Sequence, residues 1–216
     1  MGCGKILSNP EAFLKEAASG KLYVRGRDRL GRPIIRFHLA RENTWDLEAN
    51  VRYLVYTLER AIAAMGAEGL GRGQGHFCVL VDCSIEDRAK LPALETVRHA
   101  IATLLKHYPN RLGVLYLANM SVTVHALWKA VSYLVNTRTR EKLVFVSGTP
   151  AEQLLVLQQH ISPQVLGLDD NGILDLGGAF DAERYLLGGG EEEDQGHEEL
   201  EQDTASSTAS SSAWTL

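Results

Sequence analysis

Metal binding and catalysis in proteins most often use histidine, cysteine and acidic side chains. In this sequence these residues form no recognisable catalytic or metal-binding pattern. His99 and His107 are eight residues apart and have no third ligand, so a zinc site is not predicted. The sequence contains neither a G-x-S-x-G nucleophile turn nor a G-x-x-x-x-G-K-[ST] phosphate loop. Asp82 ends an apolar run, and we expect it to tether the following loop. The residues therefore give no positive indication of an enzyme, a metal or a cofactor.

Two glycine-containing segments resemble ligand loops only superficially. Residues 66–75, GAEGLGRGQG, follow a predicted helix and precede a predicted strand, whereas a dinucleotide-binding loop follows a strand and opens a helix. We interpret them as a linker. Residues 169–172, DDNG, lack the acidic residue that would complete a calcium loop, so they are predicted to form a turn.

Composition indicates one soluble globular domain. The chain has 216 residues, of which 45% are hydrophobic and 23% charged. No apolar run approaches the roughly 18 residues that a membrane-spanning helix needs. The three cysteines, Cys3, Cys78 and Cys83, form no paired framework and suit a reducing cytosol.

Charge is unevenly distributed along the chain. The formal net charge is −5, but residues 191–216 contain eight acidic residues and no Lys or Arg. The rest of the chain holds 22 basic and 19 acidic side chains and can approach an anionic membrane, which the tail would oppose. Six arginines lie between Arg25 and Arg41; we interpret them as solvated strand edges, with a phosphate-binding patch as the alternative.

The segment 107–146 is the most informative part of the chain. Residues 112–119 predict a strand, residues 122–135 a helix and residues 143–146 a short buried strand, which together make a parallel βαβ unit. Apolar residues nearly encircle the helix, and Lys129 is its only strong charge. Such a helix is either covered on both sides or moves to close an apolar cavity.

Periodicity and turn signals predict the other elements. Residues 21–39 form a hairpin with a turn at 28–31. A helix capped by Asn43 or Thr44 runs to about Met65. The remaining elements are a helix at 10–18 capped by Asn9, a strand at 76–83, a helix at 91–107 and a helix at 150–160 with Leu154, Leu155 and Leu157 inward.

Several less common residues resemble, in order, the core signature of CRAL-TRIO lipid-binding domains. They are His107-Tyr108-Pro109, Arg111-Leu112-Gly113, Asn119, Trp128-Lys129 and the stretch TRTREKLVFV at 137–146; Gly31-Arg32-Pro33 also resembles the turn that opens these domains. The resemblance extends from about residue 21 to residue 167, and at its end the match is partial, with Pro163 and Gly167.

The resemblance implies an α/β fold, with a mixed, mainly parallel sheet floor, helices on one side and an apolar pocket that a mobile helix gates. It implies a protein that holds one phospholipid, with phosphatidylinositol as the candidate, or another hydrophobic ligand, and exchanges it with membranes. The expected partners are the lipid and a transient membrane surface, not nucleic acid, in the cytoplasm. The pocket and gate would consist of Val81, Leu115, Leu117, Val124, Leu127, Trp128, Val131 and Leu134.

The resemblance also implies a headgroup site. Thr139 and Lys142 match the Thr and Lys that hold the inositol phosphate in phosphoinositide-binding members, and a hydroxyl plus an ammonium suits a phosphate. Where such members have an acidic residue, this chain has Asn110, which can hydrogen-bond an inositol hydroxyl. Arg111 belongs to the same segment and is expected to brace the loop. An exposed structural lysine is the alternative for Lys142.

Three regions are expected along the chain: 1–20 as a remnant of the N-terminal helical region of the family, 21–187 as the lipid-binding domain, and 188–216 as a disordered acidic and Ser/Thr-rich tail. An N-terminal myristoyl group is not predicted, because Ile6 occupies the position where Ser or Thr is required. Two alternatives stay open: a protein-interaction module of the same fold that binds a small GTPase or its regulator, and a non-functional short product.

Overall fold

A five-stranded sheet, in the order β1-β2-β3-β4-β5, forms the centre of the fold. The computed structural model describes residues 8–66, 75–85, 91–168, 174–176 and 180–187. β1 pairs antiparallel with β2, and the other neighbours are parallel. This confirms the mixed, mainly parallel α/β fold. The strands are β1 Leu22–Arg27, β2 Pro33–His38, β3 Phe77–Asp82, β4 Leu112–Ala118 and β5 Leu143–Val146.

Helices connect the parallel strands, as a parallel sheet requires. α2 follows β2, α3 follows β3, and α4 and α5 follow β4. Three short 3-10 helices, Pro10–Phe13, Leu39–Arg41 and Ser132–Leu134, accompany them. The α-helices are α1 Leu14–Ala17, α2 Leu47–Ala64, α3 Leu94–His107, α4 Val122–Val131, α5 Thr137–Arg140, α6 Pro150–Leu157, α7 Pro163–Leu166 and α8 Ala182–Leu187.

Side chains alternate between two faces of the sheet, and helices cover both faces. The face that we call the α2–α4 face carries Val79, Val81, Leu115, Leu117 and Phe145. The opposite face, the α6–α7 face, packs against Leu157, Ile161 and Leu166 and carries Cys78, Leu80, Tyr116, Ala118 and Val146. The expectation from the resemblance that helices lie on one side only is therefore wrong, because the segment after β5 packs on the opposite face of the sheet.

The predicted hairpin is confirmed, and a buried carboxylate fixes its turn. Asp28 Oδ1 accepts hydrogen bonds from the backbone N–H groups of Leu30 and Arg32 at 3.0 and 2.9 Å. Asp28 Oδ2 accepts a bond of 2.6 Å from Arg32 Nε. An aspartate that bonds the backbone two and four residues later closes the turn. The turn also fixes the direction of the Arg32 side chain at the start of β2.

Helix ends differ from prediction where caps were misplaced. α2 is capped by Asp46, whose side chain accepts from Ala49 N, and not by Asn43 or Thr44. α3 begins at Leu94, three residues later than predicted, and the 10–18 helix is divided into a 3-10 turn and α1, with no side-chain cap bond from Asn9. α4 ends at Val131, where a 3-10 turn replaces the predicted continuation to residue 135.

The helix after β5 also differs from prediction. α6 ends at Leu157 instead of residue 160, and Leu155 is 60% exposed, so the prediction that it points inward is wrong. Gln153 is the buried residue on that turn, because its amide makes hydrogen bonds to groups at the ends of β4 and β5. The proposed 188–216 tail, the 169–172 turn, the N-terminal acylation site and most of the 66–75 loop lie outside the described residues.

Candidate functional site

The two faces of the sheet differ in how completely their apolar side chains are covered. On the α6–α7 face, Tyr116 and Ala118 of β4 are fully buried. On the α2–α4 face, Leu115 and Leu117 of the same strand are only partly buried, and Phe145 of β5 is 50% exposed. Because burying apolar surface is favourable, a half-covered apolar face inside a fold marks a place where a ligand can complete the packing.

The helices over this face are themselves loosely packed. α3 has no fully buried residue. Leu104 of this helix and Tyr108, the residue that follows its end, pack at the edge of the α2 core. Leu94 and Leu105 of α3 are more than one third exposed. These two leucines add accessible apolar surface to α3, which packs against α2 and α4.

Five of the eight predicted gate and pocket residues have described contacts on this face. Val124 of α4 is buried against Val81, and Leu115 and Leu117 pack around the same cluster. The Trp128 ring lies edge-on to Phe145, with their centroids 6.4 Å apart. Val131 is buried, while Leu127, Trp128 and Leu134 are partly buried. α4 therefore packs on the sheet, and its role as a gate stays a prediction.

The predicted headgroup residues lie at the edge of the sheet where the parallel strands begin, which we call the amino edge. Thr139 is in α5, where its backbone N–H donates to the capping side chain of Asn136. Lys142 directly precedes β5, and its Nζ donates to the carbonyl oxygen of Leu112 at 2.6 Å. Arg111 Nη1 donates to the carbonyl oxygen of Gly75 at 3.0 Å, so it braces the loop before β3.

Asn110 has a left-handed backbone, with a φ of 61°. Asparagine tolerates that conformation better than most residues, so the turn before β4 accounts for this residue type without any ligand. None of the described contacts joins Asn110 to Thr139 or Lys142.

A basic residue directly precedes each of the four parallel strands. These residues, which we call the basic row, are Arg32, His76, Arg111 and Lys142. The other three members lie close enough to His76 to affect its pKa. Burial lowers that pKa most, and the positive charges of Lys142, Arg32 and Arg111 lower it further. From the sequence, Arg32 belonged to the six-arginine segment for which a phosphate-binding patch was the alternative interpretation, and no ligand-binding role was predicted for His76. Their common position before a strand is the signal that could have identified them.

The carboxyl edge of the sheet carries a second polar cluster. Asp82 Oδ1 accepts from Asn119 Nδ2 at 2.9 Å and from Ser84 N at 3.1 Å, and Oδ2 accepts from Ser84 Oγ at 3.0 Å. Gln153 Nε2 donates to Asn119 Oδ1 at 2.7 Å. His38 Nδ1 lies 3.7 Å from Asp82 Oδ2 and has no hydrogen-bond partner. The prediction that Asp82 tethers the next loop is confirmed.

Burial and hydrogen bonding act on Asp82 in opposite directions. Burial alone would raise the pKa of the carboxyl group, but the neighbouring His38 ring and the donors of Asn119 and Ser84 outweigh it, and the pKa is lowered. Asp82 is therefore an anion at neutral pH that holds three elements together.

Among the described residues no cluster of three or more His, Cys, Asp or Glu side chains could hold a metal ion. In that same part of the chain no helix has both the length and the hydropathy to cross a bilayer. An open groove of about 650 Å³ lies between α1 and residues 180–183, lined among others by Leu14 and Phe180, and contains none of the predicted site residues.

Comparisons with known proteins agree with this arrangement. The CRAL/TRIO domain family matches residues 17–168. A CRAL-TRIO domain-containing protein of Schizosaccharomyces pombe is 31% identical over 139 residues, which cover 63% of this chain and 13% of that protein. A phosphatidylinositol transfer protein of Saccharomyces cerevisiae, PDR17, is 30% identical over 169 residues, which cover 74% of this chain and 43% of that protein.

The match therefore spans less than half the length of either relative. Among solved structures, that of Sfh5 is similar with a TM-score of 0.48 and 13% identity, covering 63% of this chain and 52% of the other. The family match covers well over half of the chain and includes the sheet, α4 and the basic row. The chain belongs to the CRAL/TRIO domain family.

Proposed function

We propose that this protein binds one phospholipid, with phosphatidylinositol as the leading candidate, and exchanges it with membranes. The observation that carries the proposal is the partly covered apolar surface of the α2–α4 face, where Leu115 and Leu117 are only partly buried and Phe145 is half exposed. Family membership and the phosphatidylinositol transfer relative from yeast support the same class of ligand.

Covering acyl chains is the physical task that such a surface performs. Each methylene group of a lipid that moves through water costs about 0.8 kcal/mol relative to an apolar environment. A protein that covers tens of methylenes lowers this barrier without breaking a bond, so no catalytic residue is needed. β4 has seven residues and is roughly 20 Å long at 3.3 Å per residue, so an acyl chain can run beside it.

The headgroup belongs at the amino edge in this proposal. Lys142 supplies an ammonium and Thr139 a hydroxyl, both of which donate to phosphate oxygens. Lys142 Nζ uses one of its three N–H donors on the carbonyl of Leu112, which orients the ammonium and leaves donors for a ligand. Asn110 is retained as a candidate for the inositol hydroxyls.

Exposed apolar residues on and after α4 support contact with a membrane surface. Val122 at the start of α4 is 88% exposed and Tyr133 in the following 3-10 turn is 65% exposed. A helix that packs on the sheet through Val124 and Trp128 while presenting Val122 and Tyr133 outward can cover the site and also touch a bilayer.

Native mass spectrometry after mixing the protein with vesicles of phosphatidylcholine and phosphatidylinositol tests the proposal. We expect one bound phospholipid per chain. We expect Leu117→Trp to reduce lipid loading, because the larger ring would occupy space on the α2–α4 face that the lipid needs. Leu155→Trp is the matched control, since Leu155 is exposed on α6 and should accept the same change without effect.

Lys142→Ala separates the headgroup from the pocket. Loss of phosphatidylinositol with retention of phosphatidylcholine would support the headgroup role of Lys142. Unchanged loading of both lipids would remove that role and leave the pocket. A folded protein that takes up neither lipid would contradict the proposed function and favour a protein-interaction module instead.

A further inference from the structure

The basic row concentrates positive charge at one edge of the sheet. Strand register places Arg32 beside His76, since Ile34 pairs with Cys78, and His76 beside Arg111, since Phe77 pairs with Leu112. Lys142 lies further along the neighbouring strand, since Leu143 pairs with Leu115, and its side chain reaches back to the carbonyl oxygen of Leu112. Among the described residues, Asp28 is the one carboxylate that forms an ion pair with a member of the row, at 2.6 Å from Arg32 Nη2. The row therefore holds three permanent cations, Arg32, Arg111 and Lys142, and one described carboxylate is paired with them.

Most of the donors in this row are unused. Arg32 directs Nε and Nη2 at Asp28, while its Nη1 lies over Gly113 and has no acceptor among the described residues. Gly113 leaves room for it, because a Cβ there would lie 2.6 Å from Nη1. Arg111 donates one of its five N–H groups to the carbonyl oxygen of Gly75, and Lys142 donates one of its three to the carbonyl oxygen of Leu112. These backbone bonds fix the cations in place without neutralising them.

Such an arrangement is built for an anion with several oxygens. Guanidinium groups donate to phosphate in a fixed fork, an ammonium adds a point charge, and an imidazole becomes a second donor when it is protonated. Because the side chain of Arg32 is 15% exposed and that of Asp28 only 1%, the pair is held in one geometry before a ligand arrives. Preorganised donors lose less entropy on binding.

We propose that Arg32 and His76 are binding residues for the phosphate of the lipid headgroup, which they hold together with Lys142, so that the site selects phosphorylated lipids over neutral ones. The inference rests on the proposed lipid function and adds two residues to it. Arg111 acts as a positioning residue that supports the loop before His76.

Two variants test the proposal in the full chain. His76→Gln removes the imidazole from a partly exposed position. Asp28→Asn combined with Arg32→Gln removes both charges of the buried pair at once, and the Asn oxygen can still accept from the backbone of the turn. Arg52→Gln is the control for loss of one positive charge, because Arg52 is exposed on α2 outside the row.

Loading is compared for phosphatidylinositol and for diacylglycerol with the same acyl chains, which lacks the phosphate and the inositol ring. We expect the double variant to weaken phosphatidylinositol binding roughly 10-fold and His76→Gln by several fold, with diacylglycerol and Arg52→Gln unaffected. Equal loss of both lipids, or no change in either, would overturn the inference. Wild-type protein that loads neither lipid would instead contradict the proposed function.

A measurement on the unmodified protein avoids any folding defect. The pKa of His76, followed by NMR, should rise when glycerophosphoinositol or a phosphatidylinositol vesicle is added, because an anion offsets the cations that now lower it. A phosphodiester keeps one charge over this pH range, so the shift reports on His76. A rise with glycerophosphoinositol but not with vesicles would assign the site to a soluble ligand and overturn the lipid source; no rise with either would overturn the site.

Discussion

Asp82 shows how one side chain joins separate elements of this fold. It lies at the end of β3, and its acceptors are filled by Ser84 and by Asn119, a residue from the end of β4. Its tethering role could be predicted from its position after an apolar run. Its partner Asn119 could not be identified, because that contact exists only when β3 and β4 are paired.

The lowered pKa of Asp82 makes part of the stability depend on pH. Its folded-state pKa lies below the ordinary value, so the carboxylate stabilises the fold above about pH 4, and this contribution is lost as the pH falls through the folded-state pKa. Asp82→Asn should lower the free energy of unfolding at pH 7 by about 1–3 kcal/mol. It should lose less stability than the wild type between pH 5 and pH 3.

Urea denaturation at several pH values measures this difference. Glu141→Gln serves as the control, since Glu141 is exposed and its replacement should leave the pH dependence unchanged. Equal acid sensitivity of wild type and Asp82→Asn would contradict the assignment.

At the scale of the element, α4 shows why helix ends were hard to predict. Leu134 and Val135 continue the apolar periodicity of the helix, so the sequence predicts helix to residue 135. The α-helix instead ends at Val131, and Arg140 donates to the carbonyl oxygens of Ser132 at 2.6 Å and Val135 at 2.8 Å. A donor from the next helix supplies the bonds that the ending leaves open, which periodicity cannot report.

Removing this donor should loosen the 3-10 turn that follows α4. We expect Arg140→Met to speed hydrogen exchange of the backbone amides at 132–135 and to lower the free energy of unfolding by about 1–2 kcal/mol, because the two carbonyls lose a charged donor. Hydrogen exchange read by mass spectrometry measures the effect. The control is Arg138→Met on the same short helix, where the side chain is exposed. Equal exchange in both variants would show that Arg140 does not hold the turn.

At the scale of the whole molecule, a buried lysine joins the segment before β1 to the rest of the fold. Lys21 Nζ lies 2.6 Å from Glu16 Oε2, 2.7 Å from Glu42 Oε1 and 2.6 Å from Asn50 Oδ1. Thr44 Oγ1 completes the set at 3.0 Å, which explains why this residue does not cap α2. Phe13 and Ala17, from the same segment as Glu16, are buried in the core with Tyr53.

Removing this cation should be costly for the whole molecule. Lys21→Met leaves two buried carboxylates without their partner, and we expect a loss of about 3–5 kcal/mol in the free energy of unfolding. Adding Glu16→Gln and Glu42→Gln to it should restore part of that loss, whereas Lys15→Met, at an exposed site, should have little effect. Thermal and urea denaturation measure all three. A mild effect of Lys21→Met would show that the network is dispensable.

The outline of the molecule was more predictable than its polar clusters. The hairpin, the parallel strands and α4 follow from apolar runs and turn residues that act over short distances, and each is confirmed. The Lys21 network joins residues up to 29 positions apart, and the basic row joins residues from four strands. Such sets are defined only by strand order and register. The division of the chain at residues 20 and 187 and the roles of Thr139 and Lys142 stay predictions.

The strand order has a consequence for how the protein is made. Every strand pairs with the one that precedes it in the chain, so the sheet needs no strand to wait for a later one to insert between neighbours. The hairpin of β1 and β2 can form as soon as it leaves the ribosome, and β3, β4 and β5 can then add to the growing edge in the order of synthesis. Pairing of the amino-terminal strands can therefore begin while the segments that complete the proposed lipid site are still being translated.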